Sequence, residues 1–286
     1  MSRLQCCLDT YGITNTRSSK VALMSITPSS AGVSGKSVVI TGAAGGIGHA
    51  LAVRFSAAGA NITVNDVDHA GARNVANEVG GTAVIADCAT EDGVTALIAG
   101  ATEAYGRVDV YIANAGVPGI GDVSASEEAW RLALEVNLMA HVRAARLLVP
   151  VWLEQGGGRF IITASAAGLL SMPGAAPYAA SKHAAVAFAE WLSMTYRDRG
   201  IVVQAICPQA VRTRMLGGMG ALTEIAERTG TLSPTEVAEE VYDAILDDRF
   251  LILPHPDVHR FYVNRATDTD RWLKTMNSLA HPTSDE

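Results

Sequence analysis

A phenol, an ammonium and a hydroxyl are the first side chains in this sequence whose types and spacing could do chemistry. Tyr178 and Lys182 stand four residues apart, and Ser165 lies a short way upstream. Residues four apart share a helical face, so Tyr178-Ala179-Ala180-Ser181-Lys182, on a helix that opens at Pro177, points phenol and ammonium into one site. Of the seven tyrosines, only Tyr178 has a lysine at that spacing. A free phenol titrates at about pH 10 and is a poor base at neutral pH, so a cation must stabilise its phenolate. Tyr178 can then take a hydroxyl proton as hydride leaves carbon, or return it during reduction. Ser165 would donate a hydrogen bond to the substrate oxygen.

A second constellation precedes it. The run Ser37-Val38-Val39-Ile40-Thr41 leads into Gly42-Ala43-Ala44-Gly45-Gly46-Ile47-Gly48, and an amphipathic segment follows at once. A strand, a glycine-rich turn and a helix in that order cradle a pyrophosphate on the helix N-terminal amides, although glycines also serve purely structural turns. The spacing G-x-x-x-G-x-G differs from the general dinucleotide fingerprint. Asp66 ends the second strand where a carboxylate accepts hydrogen bonds from the adenosine ribose, or is simply a solvated strand end. Its charge would repel a 2′-phosphate, and neither Gly45 nor Val67 supplies an arginine to bind one, so the expected cofactor is NAD. Asp87, ending the third strand, either contacts adenine or is another strand-end aspartate.

These groups need a frame. From Ser37 onward, β-branched runs alternate with alanine-rich segments of helical period, the pattern of a parallel sheet covered on both faces. Strands are expected at Ser37–Thr41, Asn61–Asp66, Thr82–Asp87, Val108–Ala113, Arg159–Ser165, Ile201–Cys207 and Phe250–Leu253. The fold class is therefore α/β, a doubly wound, Rossmann-type sheet of about seven strands. Its carboxyl ends share one edge, where ligands bind. Long helices are expected over Glu127–Leu148 and Pro177–Arg199. Gly59, Gly106 and Gly200 close helices, and Ser233-Pro234-Thr235-Glu236 opens one with a capping box. The glycine-rich stretch 212–232 reads as a lid. Residues 1–34 form a Ser/Thr-rich extension expected to be disordered, and 35–286 one dehydrogenase domain with a helical tail after residue 254.

Together these residues resemble the short-chain dehydrogenase/reductase family from about Gly35 to Leu253, matching Thr41 to Gly48, Asp66, Asp87, Asn114-Ala115-Gly116, Asn137, Ser165, Tyr178 and Lys182 in order. The resemblance implies a Ser165, Tyr178 and Lys182 catalytic group, with Asn137 holding a water of a proton relay. Lys182 also binds the nicotinamide ribose. The implied cofactor set is Gly42, Gly46, Ile47, Gly48, Asp66, Asp87, Cys88, Asn114, Ala115, Gly116, Tyr178, Lys182, Val211 and Thr213. Taken by itself, Asn137 could instead satisfy a backbone group inside a helix. The chain departs from the family at Pro208-Gln209, where many members have Pro-Gly, and in the segment after the seventh strand.

Composition narrows the alternatives. A net charge of −7 without a basic run argues against nucleic acid. The uncharged stretch Ser37–Val53 is broken by glycines and does not read as a membrane span. Cys6 and Cys7 are adjacent, Cys88 and Cys207 isolated, so neither a disulfide framework nor a zinc site is expected and a cytoplasmic location fits. His49, His141 and His183 read as core or surface residues, with no metal. The expected function is oxidation or reduction of a small, apolar secondary alcohol or ketone by a homodimer or higher homo-oligomer. An epimerase or dehydratase on the same frame and a non-catalytic NAD-binding regulator are the competing classes.

Overall fold

The computed structural model describes residues 32–217 and 230–280. The strands are β1 (Ser37–Thr41), β2 (Asn61–Asp66), β3 (Thr82–Ile85), β4 (Val110–Ala113), β5 (Gly158–Thr163), β6 (Ile201–Ile206) and β7 (Leu251–Ile252). All pair in parallel, in the order β3-β2-β1-β4-β5-β6-β7. The expected doubly wound sheet is present, and its order reverses between β1 and β4. The helices are α1 (Gly46–Ala57), α2 (His69–Val79), α3 (Glu91–Tyr105), α4 (Glu127–Leu134), α5 (Ala140–Gln155), α6 (Ala167–Leu170), α7 (Ala176–Tyr196), α8 (Arg214–Gly217), α9 (Pro234–Asp247), α10 (Pro256–Thr267) and α11 (Thr269–Ala280).

Period-two alternation sends strand side chains to both faces, and helices cover each face. Val39, Tyr111, Phe160 and Val203 pack with Leu97 of α3, Leu148 and Trp152 of α5 and Leu192 of α7. Val38, Ile40, Val64 and Ile112 pack on the other face with Phe55 of α1, Val75 of α2 and Val241 of α9. Each fully buried Val or Ile contributes roughly 1.5–3 kcal/mol, so the sheet is a rigid base for the loops at its edge. Within it, Arg159 of β5 meets Asp248 at 2.5 Å, both buried, and donates to Gln204 Oε1 at 2.7 Å.

Local signals act as the sequence indicates. Gly59, Gly106 and Gly200 have left-handed φ of 85°, 79° and 82°, and Ser233 and Glu236 form the capping box of α9. Two long elements differ. The helix expected over Glu127–Leu148 is broken by a π turn, Glu135–Met139, between α4 and α5. The tail after Pro256 is two helices, because Asp268 leaves helical geometry and accepts from Arg271 N at 2.9 Å to start α11. Most of the expected extension, and the centre of the 212–232 stretch, lie outside the described residues.

Candidate active site

The glycine-rich turn sits at the reversal of strand order, tied to its neighbours by one threonine and one asparagine. Thr41 Oγ1 accepts from Asn114 N and Ala115 N, each at 2.9 Å. Asn114 Nδ2 donates to Thr41 O at 2.9 Å and Gly42 O at 3.2 Å, and Thr163 Oγ1 donates to Asn114 Oδ1 at 3.1 Å. The carboxyl ends of β1, β4 and β5 are thereby clamped together. Gly42 has φ 64°, and a Cβ there would lie 2.7 Å from Ala115 Cα. A Cβ on Gly48 would lie 2.4 Å from Gly42 O. Side chains are excluded from both positions by backbone, which no rotamer can move.

Room and donors at this turn fit a pyrophosphate. Gly45 caps α1 without a side-chain hydrogen bond, and the first turn of α1 carries no acidic residue. Its amides are left to an anion. Asp66 is braced at the same turn: Oδ2 accepts from Ala44 N and Oδ1 from Asp68 N, both at 3.0 Å. Each carboxylate oxygen keeps a further lone pair for a ribose hydroxyl. Val211 and Thr213 follow β6, and Thr213 approaches the turn, its Cγ2 lying 3.1 Å from where a Cβ on Gly46 would be.

Across the edge, α7 presents Tyr178 and Lys182 towards the end of β5. Lys182 is buried and its Nζ donates to Thr163 O at 2.7 Å. The same Nζ is 5.7 Å from the centre of the Tyr178 ring. No direct bond joins the ammonium to the phenol oxygen. Burial pushes the ammonium down to about 8, so it still holds its proton at neutral pH. Burial raises the Tyr178 phenol, and the Ser165 hydroxyl beside it pulls the other way. Ser165 follows β5 and its Oγ accepts from Ala167 N at 3.1 Å, which fixes the hydroxyl at the start of α6. Tyr178 is held by a lacing of backbone: Ala176 N donates to Gly121 O at 2.8 Å, Gly121 N to Gly174 O at 2.9 Å, and a Cβ on Gly119 would lie 2.6 Å from Tyr178 N.

Asn137 lies in the π turn and is fully buried. Its Oδ1 accepts from Val117 N at 2.9 Å, and its Nδ2 donates to Val117 O at 3.1 Å and Ser181 Oγ at 3.0 Å. The side chain thus fastens the segment after β4 to α7. Next along α5, His141 is buried, and its Nε2 has no hydrogen-bond partner. Burial and then the Lys182 charge push it down to about 3, so it is neutral. Cys207, behind Lys182, is pushed up to about 12 by burial and stays a thiol.

Other expected residues lie further out. Asp87 is exposed and turns its carboxylate back to Ala89 N at 2.9 Å. The Cys88 thiol points inward, donating to Asn65 Oδ1 at 3.0 Å. Ile47 is half-buried beside Gly48. Sequence reasoning gave no role to Thr41, Thr163 and Ser181, whose partners lie on other elements, nor to His255. That residue is buried: Nδ1 accepts from Gln209 N, and Nε2 donates to Ala210 O, both at 3.1 Å. The departure at Pro208-Gln209 is thus held by an imidazole from beyond β7. No group of three His, Cys, Asp or Glu residues with ligand geometry occurs among the described residues, and none of their helices is long and apolar enough to cross a membrane.

Comparison with known proteins assigns this arrangement, since the family described as short chain dehydrogenase matches residues 36–221. The chain belongs to the short-chain dehydrogenase/reductase family. It is an oxidoreductase acting on CH–OH groups. The chain is 38% identical over 231 residues to the 1-deoxy-11-beta-hydroxypentalenate dehydrogenase of Streptomyces exfoliatus, covering 78% of this chain and 84% of that one. It is 34% identical over 189 residues to the 2,5-dichloro-2,5-cyclohexadiene-1,4-diol dehydrogenase of Sphingobium indicum, covering 64% and 76%. A short-chain dehydrogenase/reductase from Burkholderia phymatum, solved in complex with NAD, superimposes with a TM-score of 0.77 at 30% identity, covering 84% of this chain and 95% of that one. A 7 alpha-hydroxysteroid dehydrogenase complexed with NADH and 7-oxo glycochenodeoxycholic acid gives 0.72 at 26%, covering 78% and 93%.

Proposed function

We propose that this dehydrogenase uses NAD to interconvert an uncharged, largely apolar secondary alcohol and its ketone, with Tyr178 as general acid and base. One observation carries the reading: a buried lysine bonded to Thr163 O brings its charge beside Tyr178, with Ser165 on the same edge. NAD would supply the hydride acceptor, or as NADH the donor. The amides around Gly42, Gly46, Ile47 and Gly48 would hold its pyrophosphate and Asp66 its adenosine ribose, with Asp87 and Cys88 on the adenine side. Asn114, Ala115, Gly116, Val211 and Thr213 would flank the nicotinamide half.

In reduction Tyr178 gives its proton to the carbonyl oxygen, which Ser165 steadies with a hydrogen bond. In oxidation the phenolate takes the hydroxyl proton, and the Lys182 charge lowers the cost of that anion. Asn137 holds the Val117 segment and α7 in register, and beside it a water would carry the proton onward to solvent. NAD over NADP is supported by the Asp66 carboxylate braced at the turn.

A neutral substrate is supported by the surrounding side chains. Val117, Met172, Met215 and Leu216 are half-buried, whereas Leu169 and Leu170 pack into the core. Arg212 is engaged by Thr231 O at 2.7 Å. Burying a substrate charge without a partner is expensive. The relatives' names, a hydroxypentalenate, a cyclohexadiene-diol and a hydroxysteroid dehydrogenase, support a hydroxyl-bearing ring, while the first and the bile acid bound to the last carry carboxylates, so neutrality rests on the wall alone. A homodimer is supported by apolar residues left exposed on α4, α5 and α7, among them Leu132, Leu147, Val151, Trp191 and Met194. The buried free thiols of Cys88 and Cys207 suit the cytoplasm.

The test is turnover with a panel of matched neutral and anionic alcohols, followed by NADH absorbance. Neutral ring alcohols should give the higher kcat/KM. Strong preference for the anions overturns the substrate class, and binding without turnover on any of them overturns the catalytic reading.

A further inference from the structure

Arg214 is the first residue of α8, and its guanidinium lies against the glycine-rich turn. A Cβ on Gly45 would sit 3.2 Å from Arg214 Nη2 and 3.9 Å from its Cζ. The segment after β6 thus brings a guanidinium against Gly45. Among the described residues its surroundings offer no unpaired carboxylate. A cavity of about 980 Å³ runs from Gly46 and Thr213 along α1, and Glu78 and Glu239 are the acids that line it. Glu78 is paired with His49 at 2.8 Å and Glu239 with Arg54 at 2.6 Å. Asp66 has its oxygens engaged by Ala44 N and Asp68 N. Arg212, on the same segment, is held by Thr231 O and lies 3.7 Å from Glu236. Arg214 has no hydrogen bond or ion pair among the described residues.

Among the described residues the Arg214 guanidinium has no counter-ion, and it stands at the positive end of α1, whose first turn has neither a side-chain cap nor an acidic residue. The two positive ends repel, and an anion placed between them relieves both. We propose that Arg214 is a cofactor-binding residue that pairs with a phosphoryl group of the dinucleotide on the glycine-rich turn. The proposal rests on the dinucleotide reading above and adds a ligand that neither the glycine motif nor Asp66 provides. It also explains how a cation can follow Thr213 so closely without favouring anionic substrates: its charge is directed to the cofactor.

The experiment measures dissociation constants of NAD, NADP and adenosine by fluorescence quenching, for the wild type, Arg214→Met and Arg212→Met. A charge-assisted hydrogen bond lost from a bound phosphoryl group is worth about ten- to hundredfold in affinity. Arg214→Met should therefore bind NAD at least about tenfold more weakly while adenosine is unaffected, and Arg212→Met should match the wild type. A loss for NAD assigns the pyrophosphate as the contact, and a loss confined to NADP overturns it. Unchanged affinity for both dinucleotides overturns the proposal, as does an equal loss for adenosine, which would mark a general distortion of the site. A wild type that binds neither dinucleotide would instead overturn the cofactor reading itself.

Discussion

Replacing Lys182 with methionine separates what this residue does for chemistry from what it costs the fold. Lys182 is 3% exposed, its ammonium has one protein acceptor, Thr163 O at 2.7 Å, and it is pushed from 10.5 down to about 8 by burial. Between those two values the unfolded chain holds a proton that the folded chain has released, so stability rises with pH across that window. Below pH 8 both states are protonated, and the folded state carries the full cost of a buried charge. About 2.5 pH units at about 1.36 kcal/mol each put that cost near 3 kcal/mol. Methionine keeps the apolar stem and removes the cost, but it leaves the Thr163 carbonyl without its donor, a loss of about 1–3 kcal/mol. At neutral pH the variant should thus be as stable as the wild type or up to about 2 kcal/mol more so. At the upper end of the window the wild type should have regained about 3 kcal/mol relative to the variant. Urea denaturation of both cofactor-free proteins at the two pH values reads this directly. Parallel pH dependences would mean that Lys182 is hydrated in the folded protein and that its burial has been misjudged.

Tyr178→Phe should bind NAD with near-normal affinity and lose about 10²–10⁴ in turnover, because only the transferable proton is removed; retention of most turnover, with chemistry shown to limit the rate, removes Tyr178 from the role. Asp66→Ala should narrow the NAD over NADP preference in measured dissociation constants, and an unchanged ratio would mean that another group sets it. Gly42→Ala puts a Cβ 2.7 Å from Ala115 Cα at a left-handed φ of 64°; it should lower the melting temperature and weaken NAD binding together, and wild-type values for both would contradict the clamped turn. Asp248→Asn leaves the buried Arg159 without its counter-charge and should cost about 3 kcal/mol in urea denaturation, against a loss under about 1 kcal/mol if that pair is dispensable.

How much of this was legible in the sequence depended on how far each signal had to reach. The bounds of β1 and β2 follow from their β-branched runs, because a strand covered on both faces has to be continuously apolar. The α9 capping box is a contact across three residues and was equally plain. The π turn was hidden, since Glu135-Val136-Asn137-Leu138-Met139 fits a helical pattern and its distortion comes from how Asn137 meets Val117 and Ser181. The site followed the same rule. Tyr178 and Lys182 announced themselves by local spacing, whereas the Thr41 bonds span more than seventy residues and the His255 bonds about forty-five. Arg214 was visible as a charge, but only the fold could say which way it faces.

The hydrogen bonds of His255 tie the C-terminal segment to the loop after β6. His255 accepts from Gln209 N and donates to Ala210 O, which fixes it as the neutral Nε2–H tautomer on the loop leading to Val211 and Thr213. Ten residues later Arg265 of α10 reaches the Leu169 carbonyl of α6 and His183 of α7. A tail that looks like an appendage to the sheet thus holds both the loop after β6 and the α6–α7 region. Shortening the chain at residue 253 would leave all seven strands in place and remove these contacts to the loop after β6 and to α6 and α7. A diverging copy of the gene could accordingly retune its pocket by changing residues far along the chain from the Tyr-Lys pair.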